Sequence, residues 1–356
     1  MNIKFSPIRI GLLLPIILSV CVNPNLIDSA FAYQPFDPPP GFHLINSAPG
    51  ISLYKKDYKG GNPDYVQIIN LSQGASLQLL YSEIINPRIG RGVYGGNDPR
   101  LSYRTIEHFW NTLSTEYAQA FCISNGQFFF MKENPTRLPF PLKVDGEIIS
   151  DGYAELDFVG KKLILAIWSD HAEILPLTKE NLYSTSAPNI IGGLSETANK
   201  AGKHFTGRTF IGLDDPDHNG GYQYIFLFNT KTTRQVDAVA VLNSFGADQI
   251  MMLDGGGSTQ LVCQGETLIA SDRNIPQALG VVAGHERDEK ILPASVFENA
   301  ITTNPSIASM NLEVDTSSQN DKRISIMDVF WVALLMLPIQ IGIVAVIYIH
   351  RRRHTQ

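Results

Sequence analysis

Three consecutive glycines, Gly255-Gly256-Gly257, directly follow Asp254, and Asp254 closes an apolar run that begins at Ile250. Glycine loses more backbone freedom on folding than any other residue, so three in a row are expected only where the chain takes positive φ or where another group comes close to the main chain. Residues 250–253 read as a short buried strand that delivers Asp254 into a tight loop ending at Ser258. Successive exposed N–H groups in such a loop form a concavity for anions. A carboxylate at its edge can act as nucleophile or base while the amides of Gly255, Gly256 and Gly257 hold an oxyanion or a phosphate. The competing reading is a plain glycine-rich loop with Asp254 as its turn former. The run alone leaves both open.

The rest of the body supplies mainly strands. Residues 65–71 and 76–81 have the apolar content of strands, and the second alternates in part. Short apolar runs follow at 120–123, 163–168, 209–213, 222–229, 259–263 and 279–283, and 142–149 reads as a hairpin turned by Asp145-Gly146. Two segments have helical spacing. Residues 103–119 place Ile106, Phe109, Trp110 and Leu113 on one face; residues 233–245 place Val236, Val239, Leu242 and Phe245 on another, with Gly246 as the stop. The prolines of 34–41 hold that stretch extended. Many strands, few helices and no βαβ alternation predict an α+β fold with a mixed or antiparallel sheet core and a few packing helices.

The two ends predict a topology. Lys4 and Arg9, an apolar stretch at 10–22 and Ala30-Phe31-Ala32 form the pattern of a secretory signal peptide over residues 1–32. An uncleaved anchor is the alternative, although the stretch is short for a span. Residues 33–300 are expected to form the extracytoplasmic domain, and 301–328, rich in Ser, Thr and Asn, a flexible stalk. Residues 329–349 are almost entirely apolar and long enough for a transmembrane helix. The basic tail 350–356, with Arg351-Arg352-Arg353, belongs on the cytoplasmic side. The expected location is thus a membrane crossed once, with the lipid bilayer as partner of the C-terminal helix. Behind the leader two cysteines remain, Cys122 and Cys263, and either one disulfide or two buried thiols suits an exported chain. The net charge of −6 gives no footprint for nucleic acid.

Three further segments bear on the Asp254 loop. Asn125-Gly126-Gln127-Phe128-Phe129 follows an apolar strand, Gly207-Arg208-Thr209-Phe210-Ile211-Gly212 puts an arginine ahead of one, and Arg273-Asn274-Ile275-Pro276 leads into the last. With Leu253-Asp254-Gly255-Gly256-Gly257-Ser258 standing between the second and the third, these segments in their chain order resemble the phosphodiester glycosidase family over roughly residues 120–283. Gln127 departs from the pattern, where a small residue is expected. The resemblance implies a hydrolase that cleaves a sugar from a phosphodiester at the anomeric carbon and leaves a phosphomonoester. Phosphate is a good leaving group, so such a site needs charge stabilisation more than strong general-acid help.

On that reading Asp254 is the carboxylate acting on the sugar, and Arg208 offers a planar fork for phosphate oxygens. Asn125 orients a sugar hydroxyl or a water. Gly126, Thr209, Ser258 and Arg273, with the three glycines, complete the binding set. Each has a plainer rival: Arg208 as an ion-pair partner of Asp254, Asn125 as a turn cap, Arg273 as a surface residue, Phe128 to Phe130 as a buried cluster in place of a sugar platform. Glycosidases usually employ two carboxylates, and Asp145, Asp151, Glu155 and Asp170 are the candidates for the second. No cofactor is expected and no metal site, although a divalent cation held partly by Asp254 is left open. Asp215, Asp217 and Asn219 suggest a calcium loop, but Phe226 stands where its closing Glu belongs, and a solvated turn is preferred. The alternative function is a non-catalytic surface module that binds phosphorylated glycans or cell-wall polymer. The carboxylate argues for catalysis, because a binder gains little from a negative charge beside a phosphate.

Overall fold

In the neighbouring strands Thr206–Asp214 and Tyr224–Thr233, every second side chain turns to the same face of the sheet. Ile211, Leu213, Ile225 and Leu227 face one core, together with Met251; Phe210, Phe226 and Phe228 face another, with Met252. A sheet buried on both faces needs a cover on each side, and that requirement sets the architecture. The computed structural model describes residues 37–153, 157–216, 218 and 220–285. The expected leader, stalk, transmembrane helix and basic tail lie outside the described residues. Among the described residues no helix is long and apolar enough to cross a membrane.

The large sheet has eleven strands. Nine run in the order His43–Ala48, Ile51–Lys56, Asp64–Asn70, Tyr224–Thr233, Thr206–Asp214, Gln249–Met252, Asn189–Ser195, Lys162–Ile167 and Ala172–Pro176. The hairpin Leu142–Val144 and Glu147–Ser150 branches from Asn189–Ser195. Its turn residues Asp145 and Gly146 both have positive φ, as a two-residue hairpin turn requires. A second sheet orders Glu266–Ile269, Leu261–Cys263, Ala120–Asn125, Gln277–Val282 and Ser76–Tyr81. The pairings within both sheets are antiparallel.

The two sheets share one core, in which Phe121, Leu77, Leu79, Leu261 and Leu279 from the smaller meet Ile191, Ile211 and Met251 from the larger. Each fully buried side chain of this kind contributes about 1.5–3 kcal/mol. Helix Ile106–Glu116 covers the outer face of the small sheet, packing Ile106, Phe109 and Leu113 on Ile123, Val262 and Ala278. The Thr105 hydroxyl caps it by accepting from the His108 N–H at 3.2 Å. Helix Gln235–Ser244 covers the far face of the large sheet through Ala238 and Leu242. A third helix, Lys179–Ser184, is capped by Thr178. The described residues are therefore mostly sheet with few helices, as the strand-rich pattern predicts. One helical face differs: Val236 is exposed. Buried Gln235 donates to the carbonyls of Glu196 and Ala198, and that anchor sets the helix's rotation.

Cys122 and Cys263 are cross-strand partners in the small sheet and form a disulfide. Of the two arrangements open from the sequence, the structure takes the bridge.

Candidate functional site

Strand Gln249–Met252 lies in the interior of the large sheet and ends at the site. The Leu253 N–H donates to the Thr209 carbonyl at 2.9 Å, and the Asp254 N–H to the Gly126 carbonyl at 3.2 Å. The first bond ties the chain to the large sheet and the second to the end of the small-sheet strand Ala120–Asn125. Asp254 thus sits where the two sheets meet. Gly256 takes φ +64°, and Gly256–Ser258 closes as one tight helical turn.

The glycines also admit close backbone contact. A Cβ on Gly255 would lie 2.6 Å from the Gly207 carbonyl oxygen, and one on Gly207 would lie 2.3 Å from the Gly256 carbonyl oxygen. The first glycine of the Gly207-Arg208-Thr209 segment is therefore a backbone seat for the Asp254 turn. Gly207→Ala is expected to destabilise the fold by about 1–3 kcal/mol, the usual cost of overpacking, because the added methyl meets the main-chain Gly256 carbonyl oxygen and, at 2.5 Å, the Thr259 hydroxyl. Urea unfolding of the variant checks this; an unchanged midpoint would remove Gly207 from the account.

A buried polar bracket lies under the turn. Asn125 Nδ2 donates to the Asp254 carbonyl oxygen at 2.8 Å, and Asn125 Oδ1 accepts from Thr209 Oγ1 at 2.9 Å and from the Gln260 N–H at 3.2 Å. Asn229 Nδ2 donates in turn to Thr209 Oγ1 at 3.3 Å. Asn125 and Thr209 are buried with their side-chain groups engaged by protein. Two expectations are corrected here: Asn125 does not point at a substrate, and Thr209 does not offer its hydroxyl to one. Both hold the turn. Gly126 is likewise packed in, since a Cβ there would overlap Gln277 Oε1. Gln127 is buried and contributes to the same packing: its N–H takes Gln277 Oε1 at 2.8 Å, and its Nε2 takes the Pro141 carbonyl at 3.2 Å.

Arg208 requires a larger correction. Alternation along its strand turns it to the face opposite Thr209. Its guanidinium donates to the carbonyls of Lys200 (2.9 Å), Ala201 (2.7 Å), His204 (3.2 Å) and Thr233 (3.5 Å). It is neither a phosphate fork nor an ion-pair partner of Asp254, but a buried clasp on residues 200–204. That loop carries Lys200, whose ammonium lies over the rings of Phe128 (5.4 Å) and Phe158 (5.2 Å) and whose charge acts on Asp254. Nothing in the sequence pattern singled Lys200 out.

Asp254 is half-buried. Desolvation pushes its carboxyl pKa up to about 6, against the opposing pull of hydrogen bonds from Ser258 and the Gly255 amide and of the charges on Arg273 and Lys200. Ser258 is fully buried beside it and accepts from Arg273 Nη1 at 3.3 Å. Arg273, on an exposed segment, thereby joins the site. The turn and the Arg273 segment are also tied by a hydrogen bond from Ser271 Oγ to the Gly257 carbonyl. The arrangement gathers one carboxyl poised near neutral pH, two cations and an exposed glycine turn, a combination suited to an anionic substrate.

Three of the candidates for a second carboxylate are described, and each has a partner or a turn of its own. Asp145 occupies the hairpin turn, Asp151 accepts from the Gly96 amide and the Tyr183 hydroxyl, and Asp170 pairs with His171. Glu155, like Asp217 and Asn219 of the acidic turn, lies outside the described residues. Phe128 is buried edge-to-face against Phe140 (5.8 Å), and Phe129 stands edge-to-face to Tyr103 (5.6 Å). Among the described residues no cluster of three or more His, Cys, Asp or Glu side chains is placed to hold a metal ion.

A family model described as phosphodiester glycosidase matches residues 115–282, which contain every element of the site above. Among solved structures the chain is similar to a hypothetical protein from Synechocystis, at 16% identity and a TM-score of 0.42 over 69% of this chain and 64% of that one. It therefore spans less than two thirds of that protein. It is also similar to the zebrafish N-acetylglucosamine-1-phosphodiester alpha-N-acetylglucosaminidase catalytic domain auto-inhibited by its pro-peptide, at 14% identity and a TM-score of 0.44 over 69% of this chain and 88% of that one. No curated protein matches the chain. The likeness to the phosphodiester glycosidase family thus rests on residues 115–282 of this chain.

Proposed function

We propose that this protein hydrolyses the glycosidic bond of a sugar-1-phosphodiester, releasing free sugar and a phosphomonoester. The observation that carries the reading is Asp254, a half-buried carboxyl pushed up to a pKa of about 6 at a glycine turn, on which the charges of Arg273 and Lys200 act. The anomeric carbon lies at Asp254 and the phosphate against the cations and the turn. The bond between the anomeric carbon and the bridging oxygen breaks, and its electron pair leaves on the phosphate. Arg273 and Lys200 hold the charge that develops there, which lowers the barrier most where water is excluded. Ionised Asp254 acts on the carbon side, and water supplies the hydroxyl that ends on the sugar.

The site of action proposed is the outer face of a membrane. The apolar segment 329–349 and the basic tail behind it support this, as does a disulfide of the kind that persists in oxidising compartments.

The test is hydrolysis of a panel of sugar-1-phosphodiesters by the full-length chain, with free sugar and phosphomonoester both measured. Turnover of at least one panel member is expected. Saturable binding without turnover would favour a non-catalytic glycan-binding protein. The pH dependence is a second check. Asp254 acts in its ionised form, so kcat/KM should rise as pH climbs from 4.5 through about 6 and level off above. A rate that falls across this window would give Asp254 the role of proton donor instead.

A further inference from the structure

A phosphodiester has two ester arms, and the site above accounts for one. Arg273 has a second neighbourhood. Besides reaching Ser258, it forms part of the wall of a cavity of about 490 Å³ with Tyr103, Phe129, Met131, Lys132 and Asn134. A phosphate resting on Arg273 with its sugar arm at Asp254 can direct its other arm into this cavity. A second hollow that Arg273 also lines, with Lys231, Gly257, Ala270, Ser271 and Asp272, has no aromatic ring in its wall.

The lining of the first cavity indicates what it takes. Phe129 and Tyr103 brace each other edge-to-face, and the Tyr103 hydroxyl is spent on the Glu133 carbonyl at 3.0 Å, so the rings offer surface and not a hydroxyl. Met131 adds exposed apolar surface at the mouth. The charges are Arg273 and Lys132 on one side of the balance and Glu133 on the other. Glu133 is already engaged by Arg100 and by Arg137 at 3.9 Å. The wall is thus net basic in a chain whose overall charge is −6. Focused local charge of this kind selects ligands of the opposite sign.

Resting on the phosphodiester reading, we propose that this cavity is the aglycone subsite and that the aglycone carries a second negative charge, read by Lys132. The favoured substrate is then a diester whose leaving group is itself anionic, such as one unit of a polyphosphorylated chain.

The experiment compares two diesters of the same sugar with the full-length chain, one with glycerol as aglycone and one with glycerol phosphate. The ratio of kcat/KM for the anionic over the neutral diester should exceed about fivefold at low salt and shrink as salt is raised. That ratio should fall to near one in Lys132→Met and persist in Lys132→Arg. Equal turnover of the two diesters, or a ratio untouched by Lys132→Met, overturns the subsite while leaving the hydrolase reading intact. Should no sugar of the panel turn over with either aglycone, the hydrolase reading fails, and calorimetric binding of glycerol bisphosphate against methyl phosphate decides the subsite alone. Preference for the bisphosphate that Lys132→Met abolishes upholds it; no preference overturns it.

Discussion

Asp254→Asn should cost about a thousandfold or more in kcat on sugar-1-phosphodiesters and at the same time make the protein more stable above pH 6. The activity loss follows from removing the charge that the proposal puts on the carbon side of the reaction; an effect of that size corresponds to roughly 4 kcal/mol of barrier. The stability gain follows from linkage. In the unfolded chain an aspartate titrates near ~3.9, whereas in the folded protein Asp254 titrates at about 6. Between those values the folded state holds a proton that the unfolded state has released. Stability therefore falls as pH rises through this window, and the full penalty is present above it. Asn has the same shape and no charge, so the penalty disappears. Melting temperatures at pH 4 and pH 8 read this directly: no difference at the lower pH and a rise of roughly 2–5 °C for the variant at the higher. A variant that keeps turnover, or that melts lower than the parent at pH 8, would dismiss this account of Asp254.

The second large effect belongs to Arg208. Arg208→Met keeps most of the bulk and removes every donor that now serves the carbonyls of Lys200, Ala201, His204 and Thr233. A buried acceptor left without its partner costs about 1–3 kcal/mol, and relaxation of the loop recovers part of the sum, so a loss of roughly 3–5 kcal/mol is expected in urea unfolding. Arg208→Lys should recover little, because a point charge on a flexible stem cannot reproduce a fork that spans several carbonyls. The kinetic signature differs from that of Asp254→Asn. Releasing residues 200–204 frees Lys200 from its place over Phe128 and Phe158, where its charge acts on Asp254, so KM for the phosphodiester should rise and the acid limb of the pH profile should move to higher pH. A Met variant with parental stability and an unmoved acid limb would remove Arg208 from its role as the clasp on residues 200–204.

These residues show where the sequence is informative. Asp254, the three glycines, Ser258 and Arg273 were legible, because a carboxylate in a glycine run and an arginine before a strand keep their chemistry whatever the register. Arg208 and Asn125 were legible as positions but not as roles. Neighbouring residues in a strand face opposite ways, and nothing local says that Thr209 looks toward Asn125 while Arg208 looks toward a loop. Lys200 was invisible, since an exposed lysine in a polar loop becomes part of a site only through contacts distant in sequence. The same physics decided the strands. Those at 65–71, 163–168 and 222–229 announced themselves because both faces are buried. His43–Ala48 escaped because it is an exposed edge. Asn189–Ser195 escaped because Gly192 and Gly193 read as a loop, whereas a Cβ on Gly192 would strike Phe140 and one on Gly193 the Met252 carbonyl.

The Cys122–Cys263 bridge has a consequence for biosynthesis. Its two sulfurs are separated by 141 residues, and they flank the site: Asn125 lies just beyond the first cysteine and Ser258 just ahead of the second. A chain that emerges N-terminus first exposes the Asn125 strand long before the Asp254 turn and before Gln277–Val282, which pairs with that strand. Until then the strand waits with its neighbours missing on both sides. Contacts so distant in sequence form slowly. The candidate site can be completed only when nearly the whole domain has emerged, so an unfinished or clipped chain carries no assembled site.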